Sequence, residues 1–475
     1  MMIRHKITIV LMKVAGYAHF IYDQLNSSRI RLYSQLRRND LSACLHQSIK
    51  YKSAPTQQIF IPVGFIVGAV RLTQFLNQRL IFTHFTIITK FLRRCYNTLM
   101  SYFLARQAVL KWLETPSIYH IGKDELYELD TESFRFLKNC ALKNGCSFKD
   151  SAFTDYCLDE GLLTTEVNIL QRPPLIQSPN PSLRYLEIQI TDACNLQCRH
   201  CYIDSTRPRE LSFERIRDLL KEFADMQGLR VLITGGEPLI HSHFNEINEL
   251  LPDYFLRKVL LTNGLLVTQN LLKTLKVDEI QVSIDGLERA HDSVRGSGTY
   301  KRSMDAVKLA LDAGFMVSIS TMVHRANFGD FDEMERLFHS MGIRDWTVDV
   351  PCVTGRLKEN ADLQVAPEEG GRYLGYGYGG GLHAAAQGFG CGYHLMSVMA
   401  DGNIAKCTFY HERSVGTIRD GLREAWKKIQ PVQIKEISCN CDFIDICRGG
   451  CRYRAELING KGGKDLYRCT LYGII

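Results

Sequence analysis

The sequence predicts an α/β fold: a partial (β/α)6 TIM-like barrel, preceded by a small α+β module and followed by a cysteine-rich extension. Three observations carry this. Over residues 182–365, apolar runs of strand length alternate with helix-length segments six times, the pattern of a parallel sheet covered on both faces by crossover helices and curved as in a partial barrel. Short Gly-, Asn- and Ser-containing turns follow several of those runs, at the strand ends where sites on such sheets lie. Ten of the 16 cysteines fall into two metal-like groups, unlike the disulfide framework of a small secreted protein.

A chain of 475 residues has room for about three domains, and its cysteine usage points to a reducing cytoplasm. The formal charge of +7 sits in one place. Residues 1–100 hold 14 Lys and Arg against Asp23 and Asp40, a net of 14 − 2 = +12, which leaves 7 − 12 = −5 for the other 375. A basic balance confined to one segment says nothing in favour of the rest binding polyanions, and no nucleic-acid partner is expected.

Residues 1–100 have three readings. They form a peripheral membrane anchor, since basic and aromatic residues flank apolar runs such as Ile59 to Val70. They form a small helical domain. Or the physiological start is Met100 and they are an over-extended reading frame, the reading favoured by their scarcity of acids. Arg71, Gln74 and Arg79 keep every run below the ~18 residues that span a bilayer.

Residues 101–170 read as a folded module. Ile118 to Ile121 and Glu125 to Leu129 flank Gly122-Lys123-Asp124 as a β-hairpin. Asp130 caps a helix with Phe134, Phe136, Leu137 and Cys140 on its apolar positions, and a second helix with Phe153, Tyr156 and Cys157 stops at Gly161. The pattern resembles the PqqD-like precursor-recognition element of pyrroloquinoline-quinone biosynthesis. That resemblance implies a precursor peptide docked by strand addition; a plain N-terminal cap on the barrel is the alternative.

Arg172 to Pro181 is a Pro- and Ser-rich linker. Strands are then expected at Tyr185 to Thr191, Val231 to Thr234, Lys258 to Asn263, Glu279 to Ile284, Met316 to Met322 and Trp346 to Val350, with helices such as Phe213 to Met226 and Ser303 to Ala313 between them. The first strand runs into T-D-A-C-N-L-Q-C-R-H-C-Y, Thr191 to Tyr202, which puts Cys194, Cys198 and Cys201 on one loop. Three thiolates so close suit one four-iron cluster with one iron left open. Zinc, which prefers four ligands in paired spacings, is the alternative.

The loop resembles the C-x3-C-x-Φ-C motif of radical S-adenosylmethionine (radical SAM) enzymes, with His200 at the aromatic position. In that family the open iron of a [4Fe–4S] cluster chelates S-adenosylmethionine, whose cleavage gives a 5′-deoxyadenosyl radical. Gly235-Gly236-Glu237-Pro238, after the second strand, resembles the family's binder of the methionyl amino group. Asn263 and Ser283, at the ends of the third and fourth strands, are candidates for hydrogen bonds to the cofactor's ribose or carboxylate, whereas Gly264 and Gly286 read as turn residues. His291 to Gly298 resembles a segment of peptide-modifying members; Arg295 there either pairs with a carboxylate of cofactor or substrate or orders its own loop. Cys352, after the sixth strand, is either a thiol facing the substrate or inert core. The glycine-dense stretch from Gly370 to Gly381 cannot be helix on composition, and reads as a flexible tether or a tyrosine-lined peptide path.

Residues 366–475 hold the second cysteine group. Cys391-x10-Gly402-x4-Cys407, then Cys439-x-Cys441-x5-Cys447-x3-Cys451, then Cys469 resembles the seven-cysteine SPASM extension. That implies two auxiliary [4Fe–4S] clusters, one on Cys391, Cys407 and Cys451, the other on Cys439, Cys441, Cys447 and Cys469. The chain departs from the pattern in one spacing: a single residue separates Cys439 from Cys441 where the family has two. The first set has three cysteines, so it has an open iron or takes another ligand.

Together these resemblances imply a radical SAM oxidoreductase that modifies or crosslinks a ribosomally made precursor peptide, fed by a low-potential donor of the flavodoxin or ferredoxin type. The alternatives are a sulfatase-maturase-like oxidation of a Cys or Ser in a protein target, and a zinc-binding scaffold without radical chemistry.

Overall fold

The protein is seen in a computed structural model, which describes residues 101–147, 151–168, 170–203, 208–379 and 388–475. The three readings of residues 1–100 lie outside the described residues. The module opens with β1 (Phe103–Leu104), β2 (Ala108–Trp112), β3 (Pro116–His120) and β4 (Glu125–Glu128), and closes with β5 (Leu163–Thr164). β2, β3 and β4 form an antiparallel sheet, and β1 pairs with β5. The expected hairpin is therefore the second half of a three-stranded sheet. Its first strand, A-V-L-K-W, escapes period-2 reading because four of its five residues are buried, Lys111 among them.

The first predicted helix runs Thr131–Cys140, with the Asp130 carboxylate accepting from the Ser133 amide at 2.7 Å. Phe136, Leu137 and Cys140 pack with Leu104, Ile118, Cys157 and Leu163 into a core of the module's own. The second helix runs Ser151–Asp159 and is followed by Gly161 at φ +71°, a left-handed position that favours glycine.

Buried polar groups dock the module on the main sheet. Lys111 Nζ donates to the Gly228 carbonyl at 2.6 Å and the Phe255 carbonyl at 3.2 Å. Arg257, 1% exposed, donates to the Ile121 and Gly122 carbonyls and pairs with Glu279 at 2.6 Å, while Asp124 takes Tyr119 and Arg230. Burial, reinforced by nearby Lys258, pulls the Lys111 amine down to about 7. Between that value and its unfolded value near 10.5 the unfolded chain binds the extra proton, so Lys111 makes stability rise with pH across that window. Lys111→Met should remove this rise, worth about 1.4 kcal/mol per pH unit. Denaturant midpoints of both proteins between pH 7 and pH 10 check it, and parallel curves would contradict it.

Among the described residues the main sheet has nine strands: β6 (Tyr185–Thr191), β7 (Arg230–Gly235), β8 (Arg257–Thr262), β9 (Glu279–Ser283), β10 (Met316–Met322), β11 (Asp345–Asp349), β12 (Leu395–Val398), β13 (Asn403–Ala405) and β14 (Gly416–Thr417). Their order is β11-β10-β9-β8-β7-β6-β12-β13-β14. β6 to β11 are parallel neighbours in chain order, and their bounds match the expected six strands to within a residue or two. β12 adds a further parallel strand beside β6, and β13 and β14 follow antiparallel. The C-terminal extension thus continues the sheet.

Crossover helices cover the sheet. Phe213–Asp225, capped by Ser212, buries Ile216, Leu219, Leu220 and Phe223, the i, i+3, i+4, i+7 stripe of an amphipathic helix. The helix expected at Ser303 begins at Thr299 and ends at Asp312. The lower ends of β7 and β8 meet the module, so it sits at the end of the sheet opposite the strands' C-terminal ends.

The glycine-dense stretch is neither tether nor peptide path where it is described. Pro367–Gly370 is a helical turn and Gly371–Tyr376 a 3-10 helix. Gly370 and Gly371 are required by packing: a Cβ on them would stand 2.6 Å from Val365 and 2.5 Å from Thr470. Tyr373 stacks on Phe328, Tyr376 packs on Phe331, and Tyr378 stacks on His339. Composition misled here because close helix packing and flexibility both select glycine.

Candidate active site

β6 delivers the three-cysteine loop to the C-terminal edge of the sheet. The Thr191 hydroxyl accepts from the Ala193 amide at 3.1 Å, and Asp192 takes Arg209, which turns the chain out of the strand. The loop's far side is tied down by Arg356, which donates from Nε to the Cys198 carbonyl at 2.9 Å and from its amide to the Cys201 carbonyl at 3.0 Å. Gly355 lets that turn approach. At φ +52°, a Cβ there would lie 2.4 Å from the Cys201 carbonyl oxygen. Gly355→Ala should push the loop out of place and lower iron retention and S-adenosylmethionine cleavage at least about tenfold, the equivalent of 1.4 kcal/mol; a variant with full iron and full turnover would contradict this.

The Gly235-Gly236 pair is explained by the same loop. The Gly236 and Glu237 amides donate to the Thr191 and Ala193 carbonyls, both at 2.8 Å, and a Cβ on Gly236 would stand 2.2 Å from the Ala193 oxygen. The close approach these glycines permit is to the cysteine loop.

A cavity of about 290 Å³ opens between the loop and the strand ends. Cys194, Cys198 and Cys201 line it, as do His200, Gly235, Gly236, Asn263 and Ser283. Glu237 does not. Its fully buried carboxylate accepts from the Thr262 hydroxyl at 2.8 Å, the Asn263 amide at 2.9 Å and the Leu239 amide at 3.1 Å. Glu237 therefore joins the ends of β7 and β8, and burial raises its carboxyl to about 7. Asn263 reaches back to the loop, donating from Nδ2 to Asn195 Oδ1 at 2.7 Å.

Asp285 organises the opposite wall. Fully buried, it takes Arg295 Nε at 2.6 Å, the Met322 amide at 2.8 Å and His200 Nε2 at 3.3 Å. Burial alone would raise its carboxyl, but the charge of Arg295 and the three surrounding imidazoles outweigh it and hold it well below the usual range. Burial pushes His200 down to about 4, so its ring is neutral, and its buried Nδ1 has no hydrogen-bond partner among the described residues. Arg295 pairs with a carboxylate of the protein itself, lies with Nη1 3.9 Å from Cys198 Sγ and lines the cavity. Burial raises the Cys198 thiol, and the Cys194 thiol to about 11; binding metal would drive off these protons.

Sequence reading missed part of the lining. Glu187 on β6, Gln281 on β9 and Ser320 on β10 also face the cavity. They sit at every second position among buried Ile188, Val282 and Ile319, so a polar residue alternating inside an otherwise apolar parallel strand was the available signal.

The carboxy-terminal cysteines form two groups, and Thr408 and Phe409, next to Cys407 of the first, line this cavity. Cys407 and Cys451 pack in one cluster with Tyr410 and Tyr453, and Cys391 lies within electrostatic reach of both. Cys439 Sγ is 3.6 Å from Cys441 Sγ, with Cys447 and Cys469 close to Cys439. The one-residue spacing thus still brings Cys439 to its group. Among the described residues no three His, Cys, Asp or Glu side chains converge closely enough to share one metal ion; cysteines bound to different irons of a cluster stand further apart than ligands on a single zinc. The fourteen described cysteines are all free thiols. No helix among the described residues is long and apolar enough to cross a membrane.

Residues 188–338, from β6 to the helix after β10, match the model of the radical SAM superfamily. The chain carries a radical SAM domain. Its enzyme relatives include the AdoMet-dependent heme synthase of Oleidesulfovibrio alaskensis, 25% identical over 355 residues, covering 63% of this chain and 90% of that protein. Mycofactocin maturase MftC of Mycolicibacterium smegmatis is 28% identical over 302 residues, covering 55% and 76%. Among solved structures, Streptococcus suis SuiB bound to its precursor peptide SuiA has the same fold, with a TM-score of 0.55 at 15% identity, covering 77% of this chain and all of that one. That share exceeds the residues from Ser182 to the C-terminus, so the likeness takes in part of the chain ahead of the radical SAM domain.

Proposed function

We propose that this radical SAM enzyme oxidatively modifies or crosslinks a ribosomally made precursor peptide. One observation carries the reading: the three-cysteine loop, the polar strand ends and Thr408 and Phe409, which follow Cys407, line a single cavity. In this reading β6 to β11 form the partial barrel of residues 182–365. Residues 101–170 are the peptide-recognition module and residues 366–475 the SPASM extension. The bound cluster and S-adenosylmethionine supply a 5′-deoxyadenosyl radical. Cys194, Cys198 and Cys201 hold that cluster; Asn263 and Ser283 orient the nucleoside; the Gly235-Gly236 backbone receives the methionyl end, and Glu237 fixes it from behind. His200 closes one wall as a neutral ring.

The fit rests on the donor set: three thiols on one loop, an open cavity in front of them and polar groups converging from successive strand ends. The C-terminal groups fit two auxiliary clusters, the inner on Cys391, Cys407 and Cys451 and the outer on Cys439, Cys441, Cys447 and Cys469. These would pass the substrate's surplus electron outwards, and a flavodoxin- or ferredoxin-type protein would supply electrons to start the cycle. The peptide reading is supported by the shared fold with peptide-bound SuiB and by the relative named as a maturase.

Co-expression with short reading frames encoded beside the gene tests it. The expected result is a peptide lighter by two hydrogens for each crosslink, dependent on residues 101–170. A tetrapyrrole substrate is the second reading, favoured by the extent of the heme synthase match; unmodified peptides together with turnover of an iron porphyrin precursor would select it.

A further inference from the structure

Three cysteines outside both cysteine groups meet in the core of the N-terminal module. Cys140 ends the helix Thr131–Cys140 and is fully buried, and Cys157 on the second helix is buried beside it. Cys146 packs against the same core but stays partly exposed. Burial, the nearby Cys146 and Cys157 thiols and hydrogen bonding to Cys146 together keep the proton on Cys140.

The turn between Cys140 and Cys146 builds their approach. The Leu142 amide donates to the Asn139 carbonyl and the Gly145 amide to the Leu142 carbonyl, both at 3.0 Å, so the chain folds back as soon as the helix ends. Gly145 sits at φ +60°, and a Cβ on it would stand 2.7 Å from the Tyr102 carbonyl oxygen; both the backbone conformation and the close approach favour glycine. Cys146 is then fastened to Tyr102 by two main-chain hydrogen bonds, donating at 3.0 Å and accepting at 2.8 Å. Its thiol donates to the Ser147 carbonyl at 3.6 Å in an exposed contact. An accessible thiol held beside a buried one suits exchange with an external disulfide, in which the exposed sulfur reacts first and the buried one resolves.

We propose that Cys140 and Cys146 are a reversible dithiol–disulfide pair, oxidised by a small-molecule or protein disulfide. Cys146, as thiolate, attacks one sulfur of the oxidant, which leaves as a thiol and puts a mixed disulfide on the protein. Cys140 gives up its proton and displaces the second thiol. Two cysteine S–H bonds and the oxidant's S–S bond become one protein S–S bond and two thiols, so two electrons pass to the oxidant. The new bond fixes the end of the helix to Tyr102, which leads into β1, and stiffens the module whatever it binds.

The test holds full-length protein with its iron anaerobically in glutathione buffers running from fully reduced to fully oxidised. Samples are quenched with acid, their free thiols alkylated in denaturant, and the chains digested with trypsin. Lys143 lies between the two cysteines, so the bond joins two tryptic peptides into one species lighter than their sum by two hydrogens. That species should grow with the oxidised fraction and vanish on adding dithiothreitol. Cys140→Ser should stop Cys146 at the glutathione adduct, and Cys146→Ser should leave Cys140 open to alkylation. In the oxidised wild type, amide hydrogens over residues 102–104 and 131–140 should exchange at least about tenfold more slowly. The wild-type digest decides without either variant: glutathione left on Cys146, a bond from Cys140 to Cys157, or both thiols alkylated in fully oxidised glutathione overturns the pair. Unchanged hydrogen exchange in the oxidised protein overturns the stiffening.

Discussion

Replacing Cys194, Cys198 and Cys201 with alanine is expected to abolish S-adenosylmethionine cleavage, a fall of more than about a thousandfold, while iron drops by the share of one cluster in three. The reasoning is local. The three cysteines sit on a loop fastened from its own strand, from Gly236 and Glu237 and from Arg356, and none of those contacts involves their thiols. The loop should therefore survive loss of sulfur. The carboxy-terminal cysteines, from Cys391 onwards, lie on other segments and should keep their iron. Anaerobic iron analysis and chromatography of 5′-deoxyadenosine check both halves; loss of all iron, or retention of cleavage, would contradict the assignment.

The second large effect is expected at Asp285. Asp285→Asn removes the full negative charge that Arg295 Nε contacts, and so leaves a guanidinium buried beside Cys198. Breaking a buried ion pair from one side costs about 3–5 kcal/mol. The carboxylate also accepts from the Met322 amide, so the ends of β9 and β10 should loosen with it. Stability should fall by that amount in denaturant titrations, and the three-cysteine loop should lose iron faster than the C-terminal group does. Equal loss from both, or wild-type stability, would contradict this role.

Much of the core was legible because its chemistry is local. Six parallel strands announce themselves as apolar runs, and a C-x3-C-x2-C loop is contiguous in sequence. What was hidden is non-local. Glu237 reads as a ligand in its motif, yet its partners Thr262 and Asn263 come from the next strand. Arg295 acquires its role from Asp285 ten residues earlier. Strand β2 was masked by Lys111, whose amine finds carbonyls more than a hundred residues away. Cys352, apart from either cysteine group in sequence, meets Cys451 because Arg454 joins two distant segments. The extension's place in the sheet was equally invisible, since β12 is four residues long and pairs with a strand some two hundred residues before it.

The measurement that bears most directly on the account is single and chemical. Full-length protein, reconstituted anaerobically with iron and sulfide, is mixed with S-adenosylmethionine and a strong reductant, and the products are separated. The account predicts 5′-deoxyadenosine and methionine in equal amounts from a brown protein carrying up to about twelve irons, as three four-iron clusters require. A colourless protein with stoichiometric zinc, or intact clusters that yield no 5′-deoxyadenosine, would contradict it.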